Sequence, residues 1–302
     1  MDFLVSIPLA TLMGTLARLY MLRIDYRQYP SYPQGYIIHL SLGFIAAFLG
    51  AMAVPAVLSE DYAAATFLAL AATQFRDVRE MERRTLLNLE ETELVRRGTA
   101  YIEGIARVFE ARNYLAIFVS LLVSLGYLGT GFLLEPAWRF TLAVLVGMLS
   151  AYMLNKLMRG KVIGDIAEVR PGKISFDGPM LKVDNIVIMN VGLKESRERY
   201  LAHGQGVIIT PRDPNAKATL ANPGQMQAII HDLSVVLGLR LDLGEPEFLP
   251  LARRDAQTGA IGIAIIPSSP SERAMIQAAL RVPVLEASVR RPLDAKAGLM
   301  VD

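Results

Sequence analysis

The chain has 302 residues, of which 53% are hydrophobic and only 20% charged, and its mean hydropathy is +0.35. A soluble domain of this length carries more charge, so the composition indicates a membrane protein. Cysteine is absent, histidine occurs three times and the net charge is +2, which argues against a disulfide framework, a histidine-rich metal site and nucleic acid binding. We therefore expect no metal and no cofactor.

Apolar runs dominate the first half of the chain. A transmembrane helix needs about 20 apolar residues, and the stretches that reach or approach this length are 3–22, 36–58, 114–134 and 138–155. A fifth run, 62–75, is shorter, and it fits either a short span that continues into a cytosolic helix or a re-entrant segment packed inside the bundle. The sequence thus predicts an α-helical transmembrane bundle of about five spans over residues 1–160.

The basic residues indicate the orientation of these spans. With five spans and an outer N-terminus, Arg23, Arg27, the arginines of 76–112 and the basic residues that follow 155 all face the cytosol. With four spans, Arg23 and Arg27 fall on the opposite side, so five spans fit better. Either count puts 76–112 and the C-terminal half in the cytosol. We expect a multi-pass protein of the cell membrane in contact with the lipid bilayer.

The segment 76–112 is a charged block between apolar runs. Glu80 and Arg84, like Glu93 and Arg97, are four residues apart, a spacing that supports a helix, which we expect to end near Gly98. A second helix is predicted to run through 100–114 into the next span. The segment is then either an amphipathic hairpin whose charges are solvated or paired, or a packed site.

In the packed-site interpretation, Gly104 allows helices to approach closely, and Glu103 and Arg107 line an interior site near the mouth of the bundle. The two interpretations differ in whether these charged residues serve helix stability alone or also bind something.

The hexapeptide "YIEGIA" (101–106) and its flanks resemble the YIEGIA family of membrane proteins from endospore-forming bacteria. Further blocks that resemble the family are "RIDYRQYP" (23–30), "QFRDVREMER" (74–83), "ELVRRG" (93–98) and "FEARNYL" (109–115). The resemblance covers mainly residues 1–160 and implies a sporulation context without supplying a reaction. It marks a functional segment that includes Tyr101, Glu103, Gly104, Arg107, Glu110 and Arg112.

Two acidic residues next to predicted spans suggest an enzyme. Asp25 follows the first span and Asp77 follows the third, and two carboxylates that share a proton can activate water for peptide hydrolysis. This pair defines the hypothesis of a membrane-embedded aspartic-type protease. The alternative is that each aspartate pairs with a neighbouring arginine at a helix end, and the G-x-G-D signature that would favour a protease is missing.

Residues 161–302 have the size and pattern of one soluble α/β domain of mixed sheet and helices. Helices are predicted over 222–239, capped by Asn222, and after Ser269, whose hydroxyl would form a capping box with Glu272. Predicted strands cover 173–178, 181–191, 206–211, a pair on either side of 256–259, and 282–291. The glycines of 204–206 do not open a helix, so we expect no nucleotide site.

These features leave two main functional hypotheses. The first is a regulatory membrane protein with a role in sporulation, whose cytosolic domain binds a protein partner. The second is the protease, for which a protein would be the substrate. A transporter is a third possibility, but the bundle is small and no internal repeat is evident.

Overall fold

The computed structural model describes residues 2–25, 33–131, 133–242, 245–246, 248–292 and 294, with side chains left undescribed at 23–25, 241–242 and 245–246. It divides the chain into two compact units. Unit 1 comprises Met1–Arg84 and Ile105–Arg159, and unit 2 comprises Thr85–Gly104 and Gly160–Asp302. Residues 85–104, which the sequence analysis grouped with the helical half, thus belong to the same unit as the C-terminal half.

The described residues form helices and short strands, with helices alone before residue 167. The helices are α1 (Asp2–Asp25), α2 (Pro33–Leu58), α3 (Tyr62–Thr73), α4 (Phe75–Leu89), α5 (Thr99–Gly129), α6 (Pro136–Leu157), α7 (Ile163–Ile166), α8 (Lys194–His203), α9 (Pro214–Leu220), α10 (Pro223–Leu237) and α11 (Glu272–Arg281). The strands are β1 (Ala167–Gly172), β2 (Ile174–Asp177), β3 (Met180–Val183), β4 (Ile186–Asn190), β5 (Gln205–Pro211), β6 (Leu241–Asp242), β7 (Glu245–Pro246), β8 (Leu251–Arg254) and β9 (Ile261–Ile265).

Unit 1 is a helical bundle in which α5 packs against its neighbours through small and apolar residues. One buried cluster joins α1, α2, α5 and α6 and includes Leu9, Val123 and Ala143. Gly50 permits a close approach of α2 to α5, because a Cβ at this position would lie 2.2 Å from the carbonyl oxygen of Ile117. Larger residues at such contacts would force the helices apart.

Four of the described helices are long and apolar enough to cross a membrane, namely α1 over Asp2–Leu22, α2, α5 and α6. Helix α3 has 12 residues and, at about 1.5 Å per residue, is about 18 Å long. Gln74 keeps a helical conformation between α3 and α4, so the two helices are nearly continuous. Leu68 and Ala71 of α3 pack against the cluster that contains Ala46 and Leu49, near the middle of α2.

The charged segment after α3 is helical over a shorter range than the sequence predicts. Helix α4 ends at Leu89, a 3₁₀ turn covers Glu90–Thr92, and the chain is then non-helical up to Gly98, whose φ is +88°. The predicted helix end near Gly98 is therefore wrong, because the chain leaves the helix before the Glu93–Arg97 pair. The second predicted helix is confirmed as α5, which runs unbroken from Thr99 to Gly129.

The sheets of unit 2 are antiparallel, which the sequence left open. Four strands pair in the order β1-β5-β9-β8, three strands pair in the order β2-β3-β4, and the described backbone of β6 and β7 forms a two-stranded ladder. Ile208 and Ala264 of the larger sheet share a core with Leu181 and Ile188 of the three-stranded sheet. Every residue of β9 is buried, because β9 is a central strand with both faces covered.

Two glycines allow the two sheets to pack closely. A Cβ on Gly206 would lie 2.5 Å from the carbonyl oxygen of Gly172, and a Cβ on Gly172 would lie 2.5 Å from Val183. Gly206 thus serves sheet packing, and the segment 204–206 enters strand β5 rather than opening a helix.

Helices α10 and α11 were predicted from the sequence, the latter with a different cap, whereas α7, α8 and α9 were not predicted. The Asn222 side chain accepts hydrogen bonds from the backbone of Gly224 and Gln225, and α10 ends before Gly238, as predicted. Helix α11 is capped by Ser271 rather than Ser269, because the Ser271 side chain accepts from the N–H of Ala274.

The predicted strand over 282–291 is wrong in its described part. Pro283 forms an isolated bridge to Val162, and a 3₁₀ turn follows at Glu286–Ser288. The buried amide of Gln225 explains this conformation, since its oxygen accepts from the Leu285 N–H and the Ser288 hydroxyl.

Candidate functional site

The first feature of interest is the segment between α4 and α5, which folds around the side chain of Glu90. The buried Glu90 carboxylate accepts the backbone N–H of Arg97 at 2.7 Å and that of Gly98 at 3.0 Å. Gly98 adopts a positive φ at this point, a backbone conformation that glycine accommodates without strain. A carboxylate with two backbone donors is a strong acceptor, so Glu90 fixes the loop that leads into α5.

His231 of α10 holds this loop through both of its ring nitrogens. The Arg97 Nε donates to His231 Nε2 at 3.1 Å, and His231 Nδ1 lies 2.7 Å from the carbonyl oxygen of Val95. Because Nε2 accepts, Nδ1 carries the proton and donates to Val95, which assigns the tautomer of a neutral imidazole. Arg97 also reaches the Glu93 carboxylate at 3.2 Å.

Tyr101, the first residue of the hexapeptide, completes the network. Its hydroxyl donates to the Asp232 carboxylate at 3.1 Å, and its ring meets the His231 ring edge-to-face at a centroid distance of 6.3 Å. Burial raises the pKa of Asp232 above its ordinary value, against the opposing effects of His231, Tyr101 and Arg97. We call Glu90, Arg97, Tyr101, His231 and Asp232 the linker clamp.

The chemistry of the linker clamp is that of a fixed attachment. Both His231 nitrogens are engaged by main-chain or arginine partners, so this histidine has no lone pair available to a substrate. Within the described ranges, no group of three histidine, aspartate or glutamate side chains is placed to hold a metal ion. The linker clamp joins residues 90–101 to α10 within unit 2.

A second polar group lies inside unit 1, where the sequence analysis did not predict one. Arg18 of α1 is 0% exposed. Its Nε donates to Asn113 Oδ1 at 3.3 Å, and its guanidinium carbon lies 5.3 Å from the centroid of the Phe109 ring. The ring of His39 packs edge-to-face against the Phe109 ring, with 4.7 Å between the ring centroids. We call Arg18, Phe109 and Asn113 the bundle arginine site.

Gly43 creates the space for the bundle arginine site. A Cβ at Gly43 would lie 2.3 Å from Cγ of Arg18, far inside van der Waals contact. The arginine stem therefore occupies volume that any other residue at position 43 would fill. An arginine buried among apolar helices needs a shaped and hydrogen-bonded environment.

Comparison with known proteins assigns the chain to a family. The model of the YIEGIA protein family matches residues 6–295. The chain belongs to the YIEGIA family. A similar protein is Uncharacterized protein YphB of Bacillus subtilis (strain 168), which is 47% identical over 293 residues, covering 97% of this chain and 96% of that protein. No solved structure matches the chain. The family match extends over both units, beyond the region that carried the sequence resemblance.

The structure assigns different environments to the residues of the YIEGIA functional segment. Tyr101 lies in the linker clamp, Arg112 is buried in α5 and Arg107 is exposed. Glu110 pairs with Arg79 of α4 at 3.1 Å. Glu103 is half-buried. The segment thus contributes Tyr101 to the linker clamp, and its residues do not converge on one centre.

Gly104 does not mark the close helix packing that one interpretation of the sequence expected. The nearest atom to a Cβ built on Gly104 is Cδ2 of Leu285 at 3.9 Å, which is ordinary contact. The expectation is wrong because α5 meets its closest partners further along, at positions facing Gly14 and Gly50. Alanine would fit at position 104.

The two aspartates of the protease hypothesis are described unequally. Asp77 is exposed in the first turn of α4. Asp25 is the last residue of α1, and its side chain lies outside the described residues. The pairing of the two carboxylates as a catalytic site therefore stays a prediction.

Sequence reasoning missed His231, Asp232 and Glu90. The signal for the first two was present, since a His–Asp pair interrupts the apolar run of "AIIHDLSVVL" (228–237). Glu90 gave no such signal, because its role depends on a loop that bends back on itself. The burial of Arg18 was not predicted either, because it depends on the room that Gly43 leaves inside the bundle.

Proposed function

We propose that the chain is a multi-pass membrane protein with a regulatory role in sporulation, in which unit 2 is a cytosolic module that binds a protein partner. The observation that carries the proposal is the linker clamp, which secures the start of a helix long and apolar enough to span a membrane to the helix α10 of unit 2. A binding event at unit 2 then acts on residues that are continuous with α5.

Five spans with an outer N-terminus are part of the proposal. Helices α3 and α4 together run past the middle of α2, which supports a short span that continues into a charged helix. The arginine distribution supports a cytosolic location for 76–112, 160–302 and the segment after α1. The grouping of 85–104 with 160–302 in one compact unit supports their location on the same side of a membrane.

The orientation can be tested by single-cysteine labelling, since the chain has no cysteine of its own. Intact cells producing Glu60→Cys, Glu91→Cys, Glu135→Cys or Glu195→Cys are treated with a membrane-impermeant maleimide. We expect labelling at positions 60 and 135 alone, and at all four positions after lysis. Labelling at 135 but not at 60 contradicts the third span, and labelling at 91 or 195 in intact cells contradicts the cytosolic module.

The sporulation role is what the sequence resemblance to the YIEGIA family implies, and it can be tested in Bacillus subtilis that lacks the relative 47% identical to this chain. We expect fewer heat-resistant spores in the deletion strain and restored counts when this chain is expressed. Arg97→Ala with Tyr101→Phe, which loosens the linker clamp, should fail to restore the counts at an equal protein level. The matched control is Arg96→Ala with Tyr62→Phe, which alters two exposed side chains outside the linker clamp. Normal sporulation of the deletion strain would contradict the proposal.

A further inference from the structure

A groove on unit 2 lies between helix α8 and the hairpin that connects β2 and β3. It encloses about 520 Å³ and is lined by Phe176, Gly178, Pro179, Lys194, Arg197, Glu198 and Leu201. The lining residues of α8 follow the spacing i, i+3, i+4 and i+7, so they share one helix face. Tyr200 is buried on another face of α8 and attaches the helix to the core of the unit.

The floor of the groove is apolar and accessible. Leu201 is 59% exposed, and Phe176 is half-buried at the edge of the core shared by the two sheets. Pro179 is fixed beside them, because its carbonyl oxygen accepts the backbone N–H of Val191. An exposed apolar surface held by a rigid hairpin and a helix is typical of a binding site for a short protein segment.

The charges around the groove leave one arginine available. Glu198 pairs with Lys194 at 3.8 Å, and Glu195 pairs with Arg199 at 2.8 Å. In the part of the chain that the structure describes, Arg197 forms no ion pair, and it is one of the residues that line the groove. A carboxylate entering the groove would find this arginine without displacing an existing partner, which makes an acidic ligand the complementary one.

We propose that this groove binds an acidic amphipathic segment of a partner protein, with an apolar side chain on Phe176 and Leu201 and a carboxylate on Arg197. The inference rests on the proposed function and names the surface and the chemistry of its partner. Because the acids Glu195 and Asp177 lie near Arg197, the positive surface is small and suits one carboxylate placed on Arg197, whereas a flat bilayer would present many negative charges to the acids at once, which favours a peptide over an anionic lipid surface.

The proposal can be tested with full-length protein in detergent and two fluorescein-labelled amphipathic helices. One helix is made of glutamate, alanine and leucine, and in the other every glutamate is replaced by lysine. We expect the acidic helix to bind, and Arg197→Glu or Leu201→Asp to weaken it about tenfold, as for an arginine or apolar anchor at the centre of an interface. Arg197→Glu should instead gain affinity for the lysine helix.

Arg199→Glu is the matched control, since it reverses a charge on the same helix outside the groove lining. Thermal unfolding of each variant tests its folding. Equal affinity of the wild type for both helices, or equal effects of Arg197→Glu and Arg199→Glu, would overturn the proposal. Stronger co-sedimentation with phosphatidylglycerol vesicles that Arg197→Glu abolishes, with no peptide binding, would assign the groove to lipid and also overturn it.

The same variants separate this inference from the proposed function. Suppose that a deletion strain has a spore defect and that expression of the double variant Arg197→Glu, Leu201→Asp restores the spore count fully. The groove is then not the partner site, while the proposed function stands. If the deletion strain has no defect, the proposed function fails, and peptide binding alone decides whether the groove binds an acidic segment.

Discussion

The bundle arginine site and the linker clamp accommodate a buried arginine in different ways. Arg18 uses an amide acceptor, the face of Phe109 and the volume left open by Gly43. Arg97 uses a histidine nitrogen and the Glu93 carboxylate, in a loop that Glu90 holds. In the apolar bundle the fit depends on shape and polarisable neighbours, whereas in the water-facing unit it depends on a hydrogen-bond network. The two sites should therefore respond to different substitutions.

Of the substitutions that test this comparison, removal of the Glu90 carboxylate should have the largest effect on stability. Glu90→Ala leaves the backbone N–H groups of Arg97 and Gly98 without their acceptor, and each lost partner costs about 1–3 kcal/mol. We expect the free energy of unfolding of unit 2 to fall by about 2–5 kcal/mol, measured by thermal or urea unfolding in detergent. The control is Glu91→Ala, at the exposed neighbouring position. Equal effects of the two changes would show that Glu90 does not hold the loop.

Filling the space beside Arg18 should have the next largest effect. In Gly43→Ala the new Cβ must displace the Arg18 stem, and overpacking of this kind costs about 1–3 kcal/mol. Thermal unfolding of Gly43→Ala, Arg18→Ala and the double variant gives the coupling between the two positions. We expect the alanine at 43 to be tolerated once Arg18 is removed, with a coupling of about 1 kcal/mol or more. Strict additivity would mean that Gly43 does not serve Arg18.

The raised pKa of Asp232 makes the stability contributed by the linker clamp depend on pH. Burial raises its pKa in the folded protein, so its protonated form stabilises folding below the unfolded pKa of about 3.9. That stabilisation is lost as the pH rises through the folded pKa. Asp232→Asn keeps an acceptor for the Tyr101 hydroxyl and removes the buried charge.

We therefore expect the stability of Asp232→Asn relative to the wild type to increase as the pH rises above about 4. Unfolding midpoints across this pH range check the expectation. Tyr101→Phe, which removes the donor to the same carboxylate, should destabilise the protein near neutral pH. A difference between Asp232→Asn and wild type that does not change with pH would contradict the raised pKa.

The smallest effect is expected at another buried arginine of the bundle, Arg139. Its Nε donates to the Tyr127 carbonyl oxygen, and its Nη2 lies 3.1 Å from the carboxylate of Asp2, which is 58% exposed. Exposed ion pairs contribute about 0–1 kcal/mol, so Asp2→Asn should change the unfolding temperature little. A loss much larger than this, in the same detergent and salt, would show that the bundle also depends on ionic partners.

The sequence predicted what depends on local pattern. Apolar runs identified the long helices, and the Asn222 cap identified the start of α10. It could not predict contacts between distant residues, such as Glu90 with its own loop or Arg18 with Gly43 and Asn113, because these depend on how the chain folds back. The Glu93–Arg97 pair shows the limit of spacing as a signal. The pair forms as expected, but outside the helix that its spacing had indicated.

Strand β9 has a consequence for the order in which unit 2 is made. Its sequence, Ile261–Ile265, is apolar throughout, and its partners in the sheet are β5 and β8. Strand β5 ends at Pro211, so its neighbour β9 emerges from the ribosome only after the intervening chain has been synthesised. Until β9 has been made, the uncharged strand β5 lacks this partner, a state that favours aggregation. Shortening the chain before Ile265 should therefore yield insoluble protein rather than a smaller folded unit.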